Sequence, residues 1–189
     1  MIIGITGRGG SGKTTLAKKI IEKYSNYIYI SVDSLIEKNV LTSTKLINDV
    51  NEHFKDKEYS IKDIMMAYFD KNEKNNIIHT FFLKEVAHQI NDELKNYSDN
   101  NIIIDWFLLH EIFEYLSLDL RIMTYASDNK RLDRVKQREN DDNLVMFKKV
   151  DEAFVNINKS KIDFVINTEK NYDDIITNIF NNEEKIKKL

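Results

Sequence analysis

"GITGRGGSGKTT", residues 4–15, is the stretch whose reading decides the fold. Ahead of it, Ile2, Ile3 and Ile5 form a short β-branched run, which reads as a buried parallel strand ending at a glycine-rich loop. Behind it, Thr14 to Tyr24 reads as a helix with Leu16, Ile20 and Ile21 on one face. Strand, loop and helix are the setting that the pattern G-x-x-x-x-G-K-[ST] requires, and Gly7, Gly12, Lys13 and Thr14 supply it. Glycines let several backbone N–H groups converge on one phosphate, and the following helix adds its positive N-terminal end. Gly7, Gly9, Gly10, Ser11, Gly12, Lys13, Thr14 and Thr15 are therefore the nucleotide-binding candidates. Lys13 is expected to reach the β- and γ-phosphates of ATP, and the Thr14 hydroxyl to join the shell of Mg²⁺.

Outward from the loop, short apolar strands alternate with helices. Strands are expected at Tyr27–Val32, at Ile102–Ile104 ending on Asp105, at Leu120–Tyr125 and at Ile162–Ile166. Helices are expected over Asp128–Glu139, Leu144–Ile157 and Tyr172–Lys188. Such alternation predicts an α/β/α sandwich, a five-stranded parallel sheet covered on both faces. Between strands two and three lies a long, mainly helical stretch, interrupted by polar clusters near Lys55–Ser60 and Lys71–Asn76. A connection of that length predicts a binding lobe. The expected organisation is one domain over residues 1–189, with a helical lobe over 34–98 and a lid region over 128–158.

Composition narrows the class. Across 189 residues the net charge is −3 with both signs interspersed, which argues against a broad nucleic-acid-binding face. Cysteine is absent, so neither a disulfide nor a thiolate metal site can form, and a cytoplasmic setting is expected. No basic region followed by a long apolar stretch opens the chain, and the most apolar run, Ile102 to Leu109, is broken by Asp105. No membrane partner is expected. The four histidines, His53, His79, His88 and His110, have no metal-ligand spacing. The Asn-Lys-x-Asp motif of most GTPases is missing; Asn129-Lys130-Arg131-Leu132 and Asn158-Lys159-Ser160-Lys161 both lack the aspartate. Strand three ends on Asp105-Trp106, without the second acidic residue of many motor-type ATPases.

In a doubly wound sheet, ligands bind beyond the carboxyl ends of the strands. Asp33, Asp105 and Glu111 lie at or near such ends. Asp33 is placed to take the proton of an attacking substrate hydroxyl; its alternative is a helix N-cap. An apolar strand end would tolerate Asp105 only when hydrogen-bonded or near metal, and buttressing the loop is its alternative role. Arg131, Arg134 and Arg138 fall within eight residues at spacings of three and four, on one side of a helix. Arginine forks suit phosphate oxygens, and Arg134 and Arg138 are the stronger pair; the alternative is a solvated, salt-bridged face. Tyr68, Phe69, Phe81 and Phe82 are expected in the lobe core.

In order along the chain, these motifs resemble the dephospho-coenzyme A kinases. Ile5-Thr6-Gly7 to Lys13 looks like that family's opening, and Ser31-Val32-Asp33 like its Asp-x-Asp. "DWFLLHE", residues 105–111, is similar to its Asp-x-Pro-Leu-Leu-x-Glu; Ile122 to Arg138 and Asp163 to Ile166 also match. "FDKNEKNNIIHTFFLKEVAHQI", residues 69–90, places His79 at the histidine of a His-Pro pair. The resemblance implies ATP, Mg²⁺, Asp33 as general base, Glu111 and the lobe with His79 near the acceptor, and Arg134 and Arg138 serving the lid; Lys13, Arg134 and Arg138 are the expected catalytic cations, and Asp105 is a further candidate near the acceptor. That acceptor would be dephospho-coenzyme A, phosphorylated on its ribose 3′-hydroxyl. Departures fall on the acceptor half: Ser31, Phe107, Thr80, Thr168 and Lys62 stand where the family has aspartate, proline, proline, asparagine and arginine. Two alternatives accompany this reading, a nucleoside or nucleoside-monophosphate kinase and an ATP-binding regulatory protein with a decayed acceptor site. A monomer acting on a small molecule is expected.

Overall fold

Five parallel strands build the sheet: β1 (Ile2–Thr6), β2 (Tyr27–Ser31), β3 (Asn101–Asp105), β4 (Leu120–Tyr125) and β5 (Phe164–Asn167), in the order β2-β3-β1-β4-β5. The structure is a computed structural model and describes residues 1–70, 72–138, 141–154 and 157–186. Central β1 is held in register by β3 on one side, Ile3 opposite Ile103, and by β4 on the other, Ile5 opposite Ile122. The isoleucine runs follow from this position. Ile102 and Ile104 of β3 point into one apolar cluster while Ile103 points into the other, so every residue of the run is buried.

One face is covered by α1 (Lys13–Lys23) and α8 (Tyr172–Ile186), through Leu16, Ile20, Ile176 and Ile179. The other face carries everything between β2 and β3. That segment comprises the short α2 (Val32–Leu35), a π-helical turn at Ile36–Val40, α3 (Thr44–His53), α4 (Ile61–Met66) and the long α5 (Glu73–Lys95). Side-chain caps start three of these helices: Ser43 accepts from the Leu46 N–H, Asn72 from the Asn75 N–H, and Ser60 with Asp63 forms a reciprocal capping box. Their apolar faces, with Val50, Ile64, Ile78, Val86 and Ile90, share one core with Ile30, Ile102 and Ile104 of the sheet. The lobe's floor is thus the sheet itself. Tyr68 and Phe82 are buried in that core, and Phe69 and Phe81 pack half-buried against it.

Element boundaries differ from the sequence reading at the charged end of the chain. After β4, α6 (Asp128–Lys136) stops at Gln137 rather than at residue 139, which lies outside the described residues, as do 155–156 and 187–189. Helix α7 spans Asp141–Ala153, and β5 starts at Phe164 because Ile162 closes the preceding turn (Lys159–Lys161). No helix of the described residues is long and apolar enough to cross a membrane.

Ile103 has no exposed surface and sits where both flanking strands and both helices of one layer meet. Ile103→Ala is expected to cost about 2–5 kcal/mol, read as a lower urea midpoint with an unchanged slope.

Candidate active site

The phosphate loop occupies the carboxyl end of β1, and its shape is imposed from outside. Gly10 has φ +71°, and a Cβ there would lie 2.6 Å from the Arg131 carbonyl oxygen, so only glycine fits both the conformation and the space. Gly7, at φ +141°, passes so close to the β4 backbone that a Cβ would collide with the Thr124 carbonyl. Ties hold the loop in this form. Ser11 and Thr124 share a buried hydroxyl hydrogen bond of 2.7 Å, and Thr168 donates to the Ser11 carbonyl at 2.7 Å. Arg131 donates to the Gly9 carbonyl at 2.8 Å and Arg134 to the Gly10 carbonyl at 3.1 Å. Successive carbonyls are thereby pulled outward. The first-turn residues of α1, whose amides lack intrahelical acceptors, line the cleft.

Inside lies a cleft of about 540 Å³ lined by Gly9, Gly10, Gly12, Lys13, Thr14 and Thr15, with Asp33, Asp105, Arg134 and Arg138 around it. Gly7 and Ser11 shape it without lining it. Lys13 folds back over the loop and donates from Nζ to the carbonyls of Gly7 at 3.0 Å and Arg8 at 3.3 Å. Burial lowers its pKa below the ordinary lysine value, although Asp105 and Asp33 pull the other way. Thr14 donates to Asp105 Oδ2 at 2.7 Å, and the Tyr29 phenol donates to the same oxygen at 3.0 Å. Burial and that carboxylate push the Tyr29 pKa up to about 12, so it stays a donor.

Asp33 sits in the first turn of α2 and does not cap it. Ser31 holds the N-cap position, and no side chain bonds there. The Asp33 carboxyl is solvent-exposed at the cleft yet hemmed in by protein. Burial and then repulsion by Asp105 raise its pKa, partly offset by Lys13, with the Trp106 indole edge also turned toward it. Trp106 Nε1 is nevertheless without a hydrogen bond of normal geometry, so that contact is electrostatic. Asp105 and the threonine hydroxyl bonded to it form a donor set that suits Mg²⁺, a hard cation accepting few protein oxygens. Thr14 and Asp105 would hold it.

A second cavity of about 610 Å³ opens on the other side of Asp33. Its walls are apolar and aromatic, including Tyr68, Phe69, Phe82, Trp106 and Phe107, and it shares Asp33, Phe107 and Val150 with the nucleotide cleft. His79 lines this cavity, with its ring 5.0 Å from that of Tyr68 and Nε2 3.5 Å from Glu111, too far for a well-formed hydrogen bond. Glu111 lies behind His79 and opens instead to a separate cavity with His110.

Several sequence assignments change. Asp105, expected near the acceptor, lines the nucleotide cleft and is bonded to Thr14 and Tyr29. It does not line the second cavity beside the lobe. Arg134 lines the cleft but is engaged in fixing the loop, through Gly10 and both oxygens of Thr168, at 2.9 Å each for the latter. Arg138 lies beyond the end of α6 and borders the cleft as an exposed side chain. Unforeseen participants are Arg8, Asp151, Tyr29, Trp106 and Phe147. Asp151 and Phe147 come from α7, which lies against the loop: a Cβ on Gly9 would be 2.5 Å from the Phe147 ring. A basic residue inside the loop, Arg8, and an acidic one on a later helix were visible as types, but their pairing requires tertiary contact.

Fold and cleft define a P-loop nucleotide-binding protein with the architecture of small-molecule kinases. The chain belongs to the AAA domain family (AAA_18), which matches residues 3–156. It is similar to a uridine kinase from Borrelia turicatae (strain 91E135), 25% identical over 182 residues that cover 93% of this chain and 84% of that one. Among solved structures, a Thermus thermophilus protein matches with a TM-score of 0.62 and 18% identity, covering 89% of this chain and 88% of the other. A deoxyadenosine kinase from M. mycoides matches with a TM-score of 0.55 and 17% identity, over 98% of this chain and all of that one.

Burial lowers the Lys13 pKa, and the negative charge of a bound polyphosphate would raise it. Binding of a nucleoside triphosphate at alkaline pH is expected to take up protons, measured as a buffer-dependent heat in titration calorimetry. Lys13→Met is expected to abolish that uptake.

Proposed function

We propose that this protein transfers the γ-phosphoryl group of ATP to a hydroxyl of a small, uncharged, nucleoside-type acceptor. The observation that carries the reading is the position of Asp33, on the wall shared by the nucleotide cleft and an aromatic, apolar cavity. A carboxylate there can serve one ligand's hydroxyl while facing another's phosphate. Mg²⁺ held by Thr14 and Asp105 would neutralise phosphate charge. Lys13 would leave the Gly7 carbonyl for the β- and γ-phosphates, and the loop amides would hold their oxygens. Asp33 would take the hydroxyl proton as the acceptor oxygen bonds to the γ-phosphorus and the bond to the bridging oxygen breaks, releasing ADP. Phe107 and Val150 at the junction would keep water from that phosphorus.

The cavity's chemistry favours an uncharged acceptor. Flat aromatic walls suit a base, and Lys62 is the one lysine or arginine among its described lining residues. Similarity to a uridine kinase over most of the chain supports the same class. Dephospho-coenzyme A is the second reading. The approach of Glu111 to His79, two positions that the family resemblance puts near the acceptor, favours it. A single lysine is a weak counterpart for its diphosphate.

ADP release with ATP and Mg²⁺ separates these readings across a panel of nucleosides, nucleoside monophosphates and dephospho-coenzyme A. Turnover with nucleosides is expected. Turnover restricted to dephospho-coenzyme A would replace the acceptor, and ATP binding without any acceptor-dependent turnover would leave a nucleotide-binding regulator. Asp33→Asn is expected to lower kcat by about two to four orders of magnitude while leaving ATP affinity within a few-fold. Since its raised pKa means that ionised Asp33 disfavours the fold above that pKa, the same variant is expected to melt higher than the parent at neutral pH without ligand.

A further inference from the structure

Asp151 of α7 lines the nucleotide cleft, where an acidic side chain is the wrong sign for polyphosphate, and its own carboxyl is nearly buried, with 16% of the side chain exposed. Two arginines explain how it is tolerated. Arg8, from the phosphate loop itself, donates Nε to Oδ1 at 3.0 Å and Nη2 to Oδ2. Arg131, from α6, donates Nη1 to Oδ1 at 2.8 Å and Nη2 to Oδ2 at 2.9 Å. One carboxylate therefore receives two complete guanidinium forks. That donor arrangement matches two edges of a phosphate as well as it matches a carboxylate. Burial alone would raise the Asp151 pKa, but the bonds from Arg131 and Arg8 hold it below the ordinary carboxylate value.

The two arginines are unequally fixed. Arg131 is buried, and it keeps the Gly9 carbonyl and Asp128 as partners whatever Asp151 does. Arg8 is half-exposed, and apart from Asp151 it has an ion pair with Asp128 at 3.5 Å. A fork that is preset by one carboxylate, anchored on the loop that cradles phosphates and half-exposed, is a candidate ligand for an incoming oxyanion.

We propose that Arg8 and Arg131 form the binding site for the terminal phosphate of the donor, and that Asp151 fills this site as a stand-in anion until the nucleotide displaces it. The assignment rests on the reading of ATP as donor and adds to it two residues and a competitor. It gives Arg8, rather than Arg134, the contact with the transferred group. It also couples α7 to nucleotide state, since the Asp151 carboxylate must withdraw for a third phosphate but not for a second.

Calorimetric titration with Mg²⁺ and either ADP or a non-hydrolysable ATP analogue, without acceptor, tests this. Asp151→Asn keeps the side chain's shape and removes its charge. It is expected to bind the ATP analogue about tenfold more tightly than the parent and ADP within twofold. Arg8→Gln is expected to weaken the analogue about tenfold and ADP within twofold. Equal effects on both nucleotides, or weaker analogue binding by a folded Asp151→Asn, would overturn the proposal. Should Asp151→Asn fail to fold, the Arg8→Gln comparison alone decides. Failure of every acceptor in the turnover panel leaves these affinities interpretable, whereas absence of analogue binding to the parent would remove the donor reading and this site together.

Discussion

The phosphate loop is the constraint on which the remaining structure depends. Its backbone takes conformations open only to glycine, and it passes within contact distance of the β4 and α6 backbones at Gly7 and Gly10. Such a loop has little preference of its own for one shape, so the fold supplies it from outside. Ser11 is bonded to Thr124, and the carbonyls of residues 9, 10 and 11 to Arg131, Arg134 and Thr168. Those partners come from β4, from α6 and from the end of β5. The sheet order that sets β4 beside β1 and β5 beside β4 is thus a requirement of the loop as much as of the core.

Charge organises what surrounds it. Lys13 and three carboxylates, Asp33, Asp105 and Asp151, line one cleft, with Arg8 and Arg131 behind Asp151, and cations and carboxylates partly satisfy each other. Lys13 is turned onto loop carbonyls, Asp105 receives two hydroxyls, and Asp151 receives two arginines. Asp33 is the exception. It has no strong donor, and burial and its neighbour Asp105 lift its pKa. A group left in an unfavourable electrostatic position at the junction of two cavities is what a proton acceptor for transfer chemistry requires.

Much of the fold was legible along the chain because its signals are local. The isoleucine-rich β1 and β3, bounded by a glycine loop and an aspartate, read as strands buried on both faces inside a parallel sheet, and the other three strands were legible as short apolar segments alternating with helices. The loop residues followed from the same reading. Asp33 was legible as a strand-end carboxylate, though its distinction from a helix cap needed the observed position of Ser31. The direction of Asp105 was not legible, since period-two alternation gives its face of the sheet but not the Thr14 and Tyr29 hydroxyls that wait there. Nor was the division of labour among Arg131, Arg134 and Arg138: helical spacing puts them on one side, while the loop's shape decides which carbonyl each one meets.

By itself, the sequence determined the parallel α/β/α class, the phosphate loop and the helical segment inserted before the third strand, because periodicity, glycine and β-branching act over a few residues. The tertiary structure alone decided that Asp33 joins two cavities, that the second cavity is walled by aromatic rings with a single lysine among its described lining residues, and that Asp151 occupies the forks of Arg8 and Arg131. Those are relations between segments as much as 143 residues apart. They follow from packing two layers of helices on one twisted sheet, and no local preference encodes them.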